Sequence, residues 1–312
     1  MKIFSLLFVV LICLTACNKA PKLNPQEGFI SVKGGKVWYK IVGTGSEIPL
    51  VMLHGGPGVP SYYLKPLAEL GKNRPVIFID QLGCGKSDRI TDTSLMTVEN
   101  FVLQLEQIKT ALGLSAFYIY GQSWGTMLAT DFYLTHPKGI KGIIFSSPAL
   151  SIKRWLSDAD TLIATLPDSI QLAIRENERN KTYTNPSYVA AVDFYYKHFL
   201  ARKLPWSADL DSAMAQTGHN VYEFMGGPSE FTMPGPLRLY DRTNRLSEIK
   251  VPVLFITGEF DEARPSTVNY YKSLVANSQM VIIPGAGHLT MQDNPIADIN
   301  AINAFLNALE NR

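Results

Sequence analysis

A serine stands between two glycines at Gly121-Gln122-Ser123-Trp124-Gly125, where the apolar run AFYIYG (116–121) ends and a helix-forming stretch, TMLATDFYLTH, begins and runs up to Pro137. A Gly-x-Ser-x-Gly pattern alone is a weak signal, but its setting strengthens it. A strand that runs into a sharp turn and then a helix is the context of a nucleophile elbow, which holds its serine in a strained backbone conformation with the hydroxyl exposed. Chain segments crowd at such a turn, so its neighbours must be small, and Gly121 and Gly125 meet that need. The N-terminus of the following helix turns unpaired N–H groups and a positive dipole end toward a developing oxyanion. The chemistry this implies is attack of a hydroxyl on a carbonyl carbon.

A serine hydroxyl is a poor nucleophile without a base. Of the five histidines, His136 precedes a proline at a helix end and reads as a cap, while His198 and His219 lie in a helical middle region and read as packed or solvated. His54 belongs to HGGPG (54–58), where it reads as a brace for that loop. His288, in PGAGHLTMQ after the last strand-like run, sits where the base belongs in the chain order Ser, Asp, His. FITGEFDEARP offers Glu259, Asp261 and Glu262 as the orienting acid, and Asp261 lies two residues past the strand's end, in a turn able to reach His288. The expected assignment is Ser123 as nucleophile, His288 as general base and acid, and Asp261 as the residue that orients the imidazole. The glycines of HGGPG let backbone N–H groups approach a ligand, so one of them, with the amide of Trp124, forms the expected oxyanion hole; a plain tight turn is the alternative. Asp80 reads as the anchor of its own loop.

These residues need a frame. Apolar runs at 36–43, 49–55, 75–80, 116–121, 142–147, 251–258 and 279–285 read as buried parallel strands, and 28–35 as the first arm of an antiparallel hairpin at one edge. Helical patterns alternate with them. From Thr97, an N-cap, Val98, Phe101, Val102, Leu105, Ile108 and Leu112 keep a 3.6-residue period until Gly113, and Ile296 to Leu309 does the same at the C-terminus. Such alternation implies a doubly wound α/β sheet. Residues 149–245 break it, being helical, loop-rich and aromatic without a convincing buried strand, and read as a helical cap inserted over the sheet.

The chain has 312 residues, 46% of them apolar and 18% charged, with a formal net charge of +2, which is an ordinary globular balance. Nothing in it gives a nucleic-acid partner electrostatic support. The first residues differ: Lys2 precedes an apolar run from Ile3 to Leu14 that is short for a bilayer span and fits the apolar region of an export signal. Leu14-Thr15-Ala16-Cys17 resembles the lipobox of bacterial lipoproteins, with Cys17 as the lipidated residue. The expected organisation is a signal at 1–17, a polar tether at 18–27, a hydrolase core at 28–148 and 246–312, and the cap at 149–245, carried on an exported protein anchored to a membrane in the periplasm or at the cell surface. Of the three cysteines, only Cys84 then remains in the folded part, so an internal disulfide there is excluded.

Together HGGPG, DQLGCGKS (80–87), GQSWG, GPSEF (227–231) and GEFDEARP (258–265) resemble the proline iminopeptidase (prolyl aminopeptidase) family of α/β-hydrolase serine peptidases, from about Gly28 to the C-terminus, and are most similar to the branch containing the tricorn-interacting aminopeptidase. The resemblance implies a mostly parallel eight-stranded sheet with helices on both faces, and a Ser123–His288–Asp261 triad. It also implies an oxyanion hole from the N–H groups of Gly56 and Trp124, and places Glu230 and Glu262 where the family's glutamates hold the substrate's free α-amino group. Paired carboxylates beside a desolvated acyl site distinguish a charged N-terminus from an internal peptide bond; one ion pair at about 4 Å is worth about 4 kcal/mol at an effective dielectric of 20, before desolvation is subtracted. Two positions depart from the family pattern: Leu82, where arginine is common, and Thr126, where a second glycine is usual.

The implied activity is release of N-terminal proline or another apolar residue from short peptides through an acyl-enzyme, with no cofactor or metal. An esterase or amidase with the same triad is the second reading, and a binding scaffold with a hydrolase fold the third. In the cap, Val192, Tyr195, Tyr196 and Phe199 form a stripe that reads as core, while residues 220–231 and Trp206 are the expected wall around the released side chain.

Overall fold

The computed structural model describes residues 23–311. The export signal, the lipobox with Cys17, and the start of the tether lie outside the described residues. Eight strands form one sheet: β1 (Gln26–Val32), β2 (Gly35–Val42), β3 (Leu50–Leu53), β4 (Val76–Asp80), β5 (Phe117–Gln122), β6 (Ile140–Ser146), β7 (Val253–Gly258) and β8 (Ser278–Ile283), in the order β1-β2-β4-β3-β5-β6-β7-β8. β1 and β2 are the expected antiparallel hairpin at one edge, and β2 also runs antiparallel to β4. Every other pairing is parallel.

Ten α-helices accompany the sheet among the described residues: α1 (Val98–Ala111), α2 (Trp124–Thr135), α3 (Ile152–Ile163), α4 (Asp168–Asn180), α5 (Pro186–Phe199), α6 (Ala208–Ala215), α7 (His219–Met225), α8 (Pro265–Ser273), α9 (Thr290–Asp293) and α10 (Pro295–Glu310). α1 shows how local sequence sets an element. Thr97 Oγ1 accepts from Asn100 N (3.2 Å), Glu99 complements the first turn and Lys109 the last. Gly113, at φ +63°, then takes the left-handed conformation that ends the helix.

Apolar residues fill both faces of the central strands because both faces are covered. Phe117 and Ile119 of β5, with Ile143 and Phe145 of β6, join α1 and α2 in one core layer. Tyr118, Tyr120 and Ile144 point the other way and pack with Ile302, Phe305 and Leu306 of α10. β8 differs from the expected buried strand: it pairs with β7 alone and only Ile283 of it is buried, with Ile282 about half exposed. Met280 packs on one core layer and Val281 and Ile283 on the other, so both faces are covered and the exposure comes from the open edge.

After Ser146 the chain leaves the sheet, and it returns only at Val253. Between them lie α3 to α7, with no strand among the described residues beyond a single bridge from Ser151 to Asp241. Ile163, Leu166, Ile174, Ala191, Tyr195 and Phe199 give this region a small core of its own. Its end is fastened to α2 by the Arg242–Asp131 ion pair (2.7 Å). α5 is tied to the loop after β8 by the bond from His288 N to Phe199 O (2.7 Å).

Candidate active site

Ser123 sits between β5 and α2 at φ +52° and ψ −119°, a conformation that costs a non-glycine residue about 1–3 kcal/mol. The surroundings enforce it. Ser123 N donates to Ser146 O (3.0 Å), and Thr126 Oγ1 donates to Ser123 O (2.6 Å) while accepting from Ala149 N (3.1 Å). Thr126, where the family usually has glycine, thus braces the turn from behind. The flanking glycines answer to crowding: a Cβ on Gly121 would lie 2.4 Å from Gly125 O, and one on Gly125 would lie 2.2 Å from Leu53 O.

Asp261, fully buried, accepts from His288 Nδ1 (2.8 Å) and Ala263 N (2.8 Å) through Oδ1, and from Gly258 N (2.9 Å) through Oδ2. Ser147 Oγ lies 2.6 Å from the same Oδ2 and 2.8 Å from His288 O. Ser147 is itself held at φ +49° at the end of β6, so a second strained serine orients the carboxylate. Sequence reasoning missed it, because its role depends on β6 lying between β5 and β7. Burial alone would lower the His288 pKa, but the Asp261 carboxylate, with Glu262 and Glu230 beyond it, outweighs burial and holds the imidazole above its ordinary value. Ser123 and His288 line one cavity without a hydrogen bond between them among the described residues. Such bonds are commonly long before substrate binds.

That cavity, of about 240 Å³, is also lined by Gly55 and Gly56 of HGGPG. A Cβ on Gly55 would stand 3.2 Å from Ser123 Cβ, which sets the loop against the elbow. Gly55 N–H is taken by Tyr63 Oη (2.7 Å). Gly56, at φ +107°, has no partner on its N–H among the described residues, and Trp124, as the first residue of α2, has no intrahelical acceptor. The Trp124 indole donates to Gln81 Oε1 (2.8 Å), while Gln81 N donates to His54 Nε2 (2.9 Å) and Gln81 Nε2 to His54 O (3.1 Å). His54 therefore braces the loop, as its sequence position suggested, and Trp124 ties that brace to the elbow. Asp80 anchors the neighbouring turns by accepting from Ser61 N (2.9 Å) and Lys86 N (3.0 Å).

Glu230 and Glu262 line the same cavity. Glu230 accepts from Tyr222 Oη, and burial raises its pKa despite that bond. Glu262 is 3% exposed, its Oε1 has no hydrogen-bond partner among the described residues, and its Oε2 lies 4.0 Å from His288 Nδ1. Burial, reinforced by Glu230 and Asp261 and opposed by His288, pushes its pKa up to about 8. Trp155 of α3 joins the parts: its ring meets His288 edge-on with centroids 5.3 Å apart, and its Nε1 donates to Glu230 O (3.2 Å).

Comparison with known proteins agrees with this geometry. A family model of the alpha/beta hydrolase fold matches residues 48–295. The chain is 42% identical over 287 residues to a proline iminopeptidase of Heyndrickxia coagulans, covering 91% of this chain and 99% of that one. It is 32% identical to a proline iminopeptidase of Saccharolobus solfataricus, covering 92% and 94% respectively. This chain belongs to the proline iminopeptidase family of α/β hydrolases. The crystal structure of proline iminopeptidase from Mycobacterium smegmatis superposes with a TM-score of 0.85 at 29% identity, covering 91% of this chain and 99% of that one.

Within the family frame, two cap residues take places other than those expected. Tyr196 packs against the cap core and also lines the cavity, whereas Tyr195 and Phe199 pack inside the cap. One helix face can serve both environments because α5 borders the cavity. Trp206, expected in the cavity wall, lies elsewhere, with its Nε1 bonded to Ala201 O (3.0 Å) beside Pro205 and Pro295. His219 is exposed, in line with its solvated reading, and also lines the cavity. His136 and His198 keep to local roles, stacking on Phe132 and Phe194. Leu82, in place of the family's arginine, is buried in the core layer.

Proposed function

We propose that the protein is a serine aminopeptidase that releases an N-terminal proline, or another apolar residue, from short peptides. The observation that carries this is the unpartnered, buried Oε1 of Glu262 beside Glu230, in the cavity that also holds Ser123 and His288. Two carboxyl groups with no Lys or Arg beside them in that lining among the described residues form a receptor for an ammonium group, whose charge favours their ionised form against the burial that raises their pKa values. His288 takes the Ser123 proton as the oxygen attacks the carbonyl carbon of the first residue. The N–H groups of Gly56 and Trp124 hold the oxyanion, and imidazolium stabilised by Asp261 returns the proton to the departing nitrogen. Water activated by His288 then hydrolyses the ester and frees the N-terminal residue.

A panel of prolyl-, alanyl- and phenylalanyl-arylamides with N-acetylated controls tests this reading. Hydrolysis of the free-amine compounds alone is expected, with Ser123 labelled by a fluorophosphonate. Turnover of the blocked controls at similar rates would place the enzyme with esterases and amidases instead.

We also propose that the chain is exported and anchored to a membrane through lipid on Cys17. The basic residue, short apolar run and Leu-Thr-Ala-Cys at 14–17 support it, and the polar stretch 18–25 then serves as the tether, ending where β1 begins at Gln26. Mass spectrometry of the membrane fraction should find a lipid-modified N-terminus at Cys17, and Cys17→Ala should leave the membrane fraction depleted. A mature N-terminus elsewhere refutes the anchor and leaves the catalytic reading intact.

A further inference from the structure

Two cavities meet at Ser123. The smaller, about 20 Å³, lies against Trp124, Met127, Ile152 and Trp155 and lacks His288; the larger, about 240 Å³, contains it. His288 must deliver its proton to the departing nitrogen, so the peptide that leaves occupies the larger cavity. This assignment rests on the aminopeptidase reading. Val59, Leu200, Leu210 and Met214 give that cavity an apolar wall, and α7 adds His219 and Glu223, four residues apart, whose side chains are exposed.

The charges in this lining are one-sided. Glu223, Glu230 and Glu262 are its acidic residues, His219 and His288 the only groups able to become cations, and no Lys or Arg lines it among the described residues. The substrate ammonium is met by Glu230 and Glu262. A dipeptide also carries a carboxylate, about one residue, or roughly 3.5 Å, beyond the scissile bond. There it would stand in a lining of acidic residues with no Lys or Arg among the described residues to answer it, which is unfavourable. A longer peptide presents a neutral amide at that point and carries its terminal charge further out, and an amidated dipeptide carries none.

We propose that the leaving-group side of the site selects peptides of three or more residues, and neutral C-terminal amides, over dipeptides with a free carboxylate, and that Glu223 contributes to this selection.

The test compares kcat/KM for Pro-Ala, Pro-Ala-NH2 and Pro-Ala-Ala at one fixed pH. The amide and the tripeptide should each exceed the dipeptide at least tenfold, and Glu223→Lys should narrow that ratio at least fivefold. Ratios within twofold, or a preference for Pro-Ala, overturn the selection; an unchanged tenfold ratio in Glu223→Lys overturns the part given to Glu223. Prolyl-arylamide run in the same preparation separates the two readings. Its hydrolysis with equal dipeptide and amide rates refutes only the leaving-group selection, whereas no hydrolysis of any free-amine substrate refutes the aminopeptidase itself.

Discussion

Replacing Glu262 by glutamine keeps the shape of a buried side chain and removes its charge. The wild-type carboxyl is 3% exposed with Oε1 unpartnered, so a substrate ammonium would be its charge partner on that side. An ammonium about 4 Å away gains about 4 kcal/mol at an effective dielectric of 20, and deleting a charge-assisted hydrogen bond costs about 1.5–3 kcal/mol after solvation is counted. A net loss of about 2–3 kcal/mol corresponds to a fall in kcat/KM of roughly 30- to 150-fold for free-amine substrates. Stability should move the other way. The folded-state pKa of Glu262 is raised from 4.5 to about 8, so its stabilising contribution is full below about pH 4.5 and is lost as pH rises toward 8. Glu262→Gln escapes that loss, so its Tm should match or exceed the wild type at pH 9, with the gap opening between about pH 4.5 and 8. The assay is prolyl-arylamide kinetics alongside thermal melts at pH 5 and 9. A loss of activity below threefold, or a melting temperature at pH 9 well under the wild type, would refute the reasoning.

Other outcomes follow from the same geometry. Ser147→Ala removes the hydroxyl 2.6 Å from Asp261 Oδ2 and should lower kcat about tenfold with KM within twofold, since Ser147 acts through Asp261. The pKa of His288 is raised, and the base must be neutral, so kcat should fall with decreasing pH through a value above the usual 6.5; in Glu262→Gln, which removes one of the groups raising it, that limb should shift to lower pH. Gly125→Ala puts a Cβ 2.2 Å from Leu53 O and should destabilise the fold by about 3 kcal/mol or more, read as a fall in Tm or as insoluble protein.

The parts of the site written within one stretch of chain were legible beforehand. The elbow is local: a strand, a serine between glycines and a helix start follow one another from Phe117 to Thr135. Asp261 and His288 were legible because each follows a recognisable strand, β7 and β8. The Glu230 and Glu262 positions came only with the family motifs, because a carboxylate in a loop carries no local sign of its partner. The partial exposure of β8 is not written in its apolar run, Met280 to Ile283, because such a run reads alike in a central strand and at the edge of a sheet. Tyr196 and Trp206 were misplaced for a related reason: aromatic content marks the cap without saying which ring faces the cavity.

By itself, the sequence determined the alternation of strands and helices, the elbow and the chain order of its partners, because hydrophobic period, glycine placement and capping residues act over a few neighbours. The tertiary structure alone decided that Ser147 holds Asp261, that Trp155 links His288 to the backbone of Glu230, and that Trp124 reaches His54 through Gln81. Each of these contacts joins residues from separate elements. Their distances are set by strand order and by how α3 and α7 of the cap close over the sheet, which no local pattern encodes.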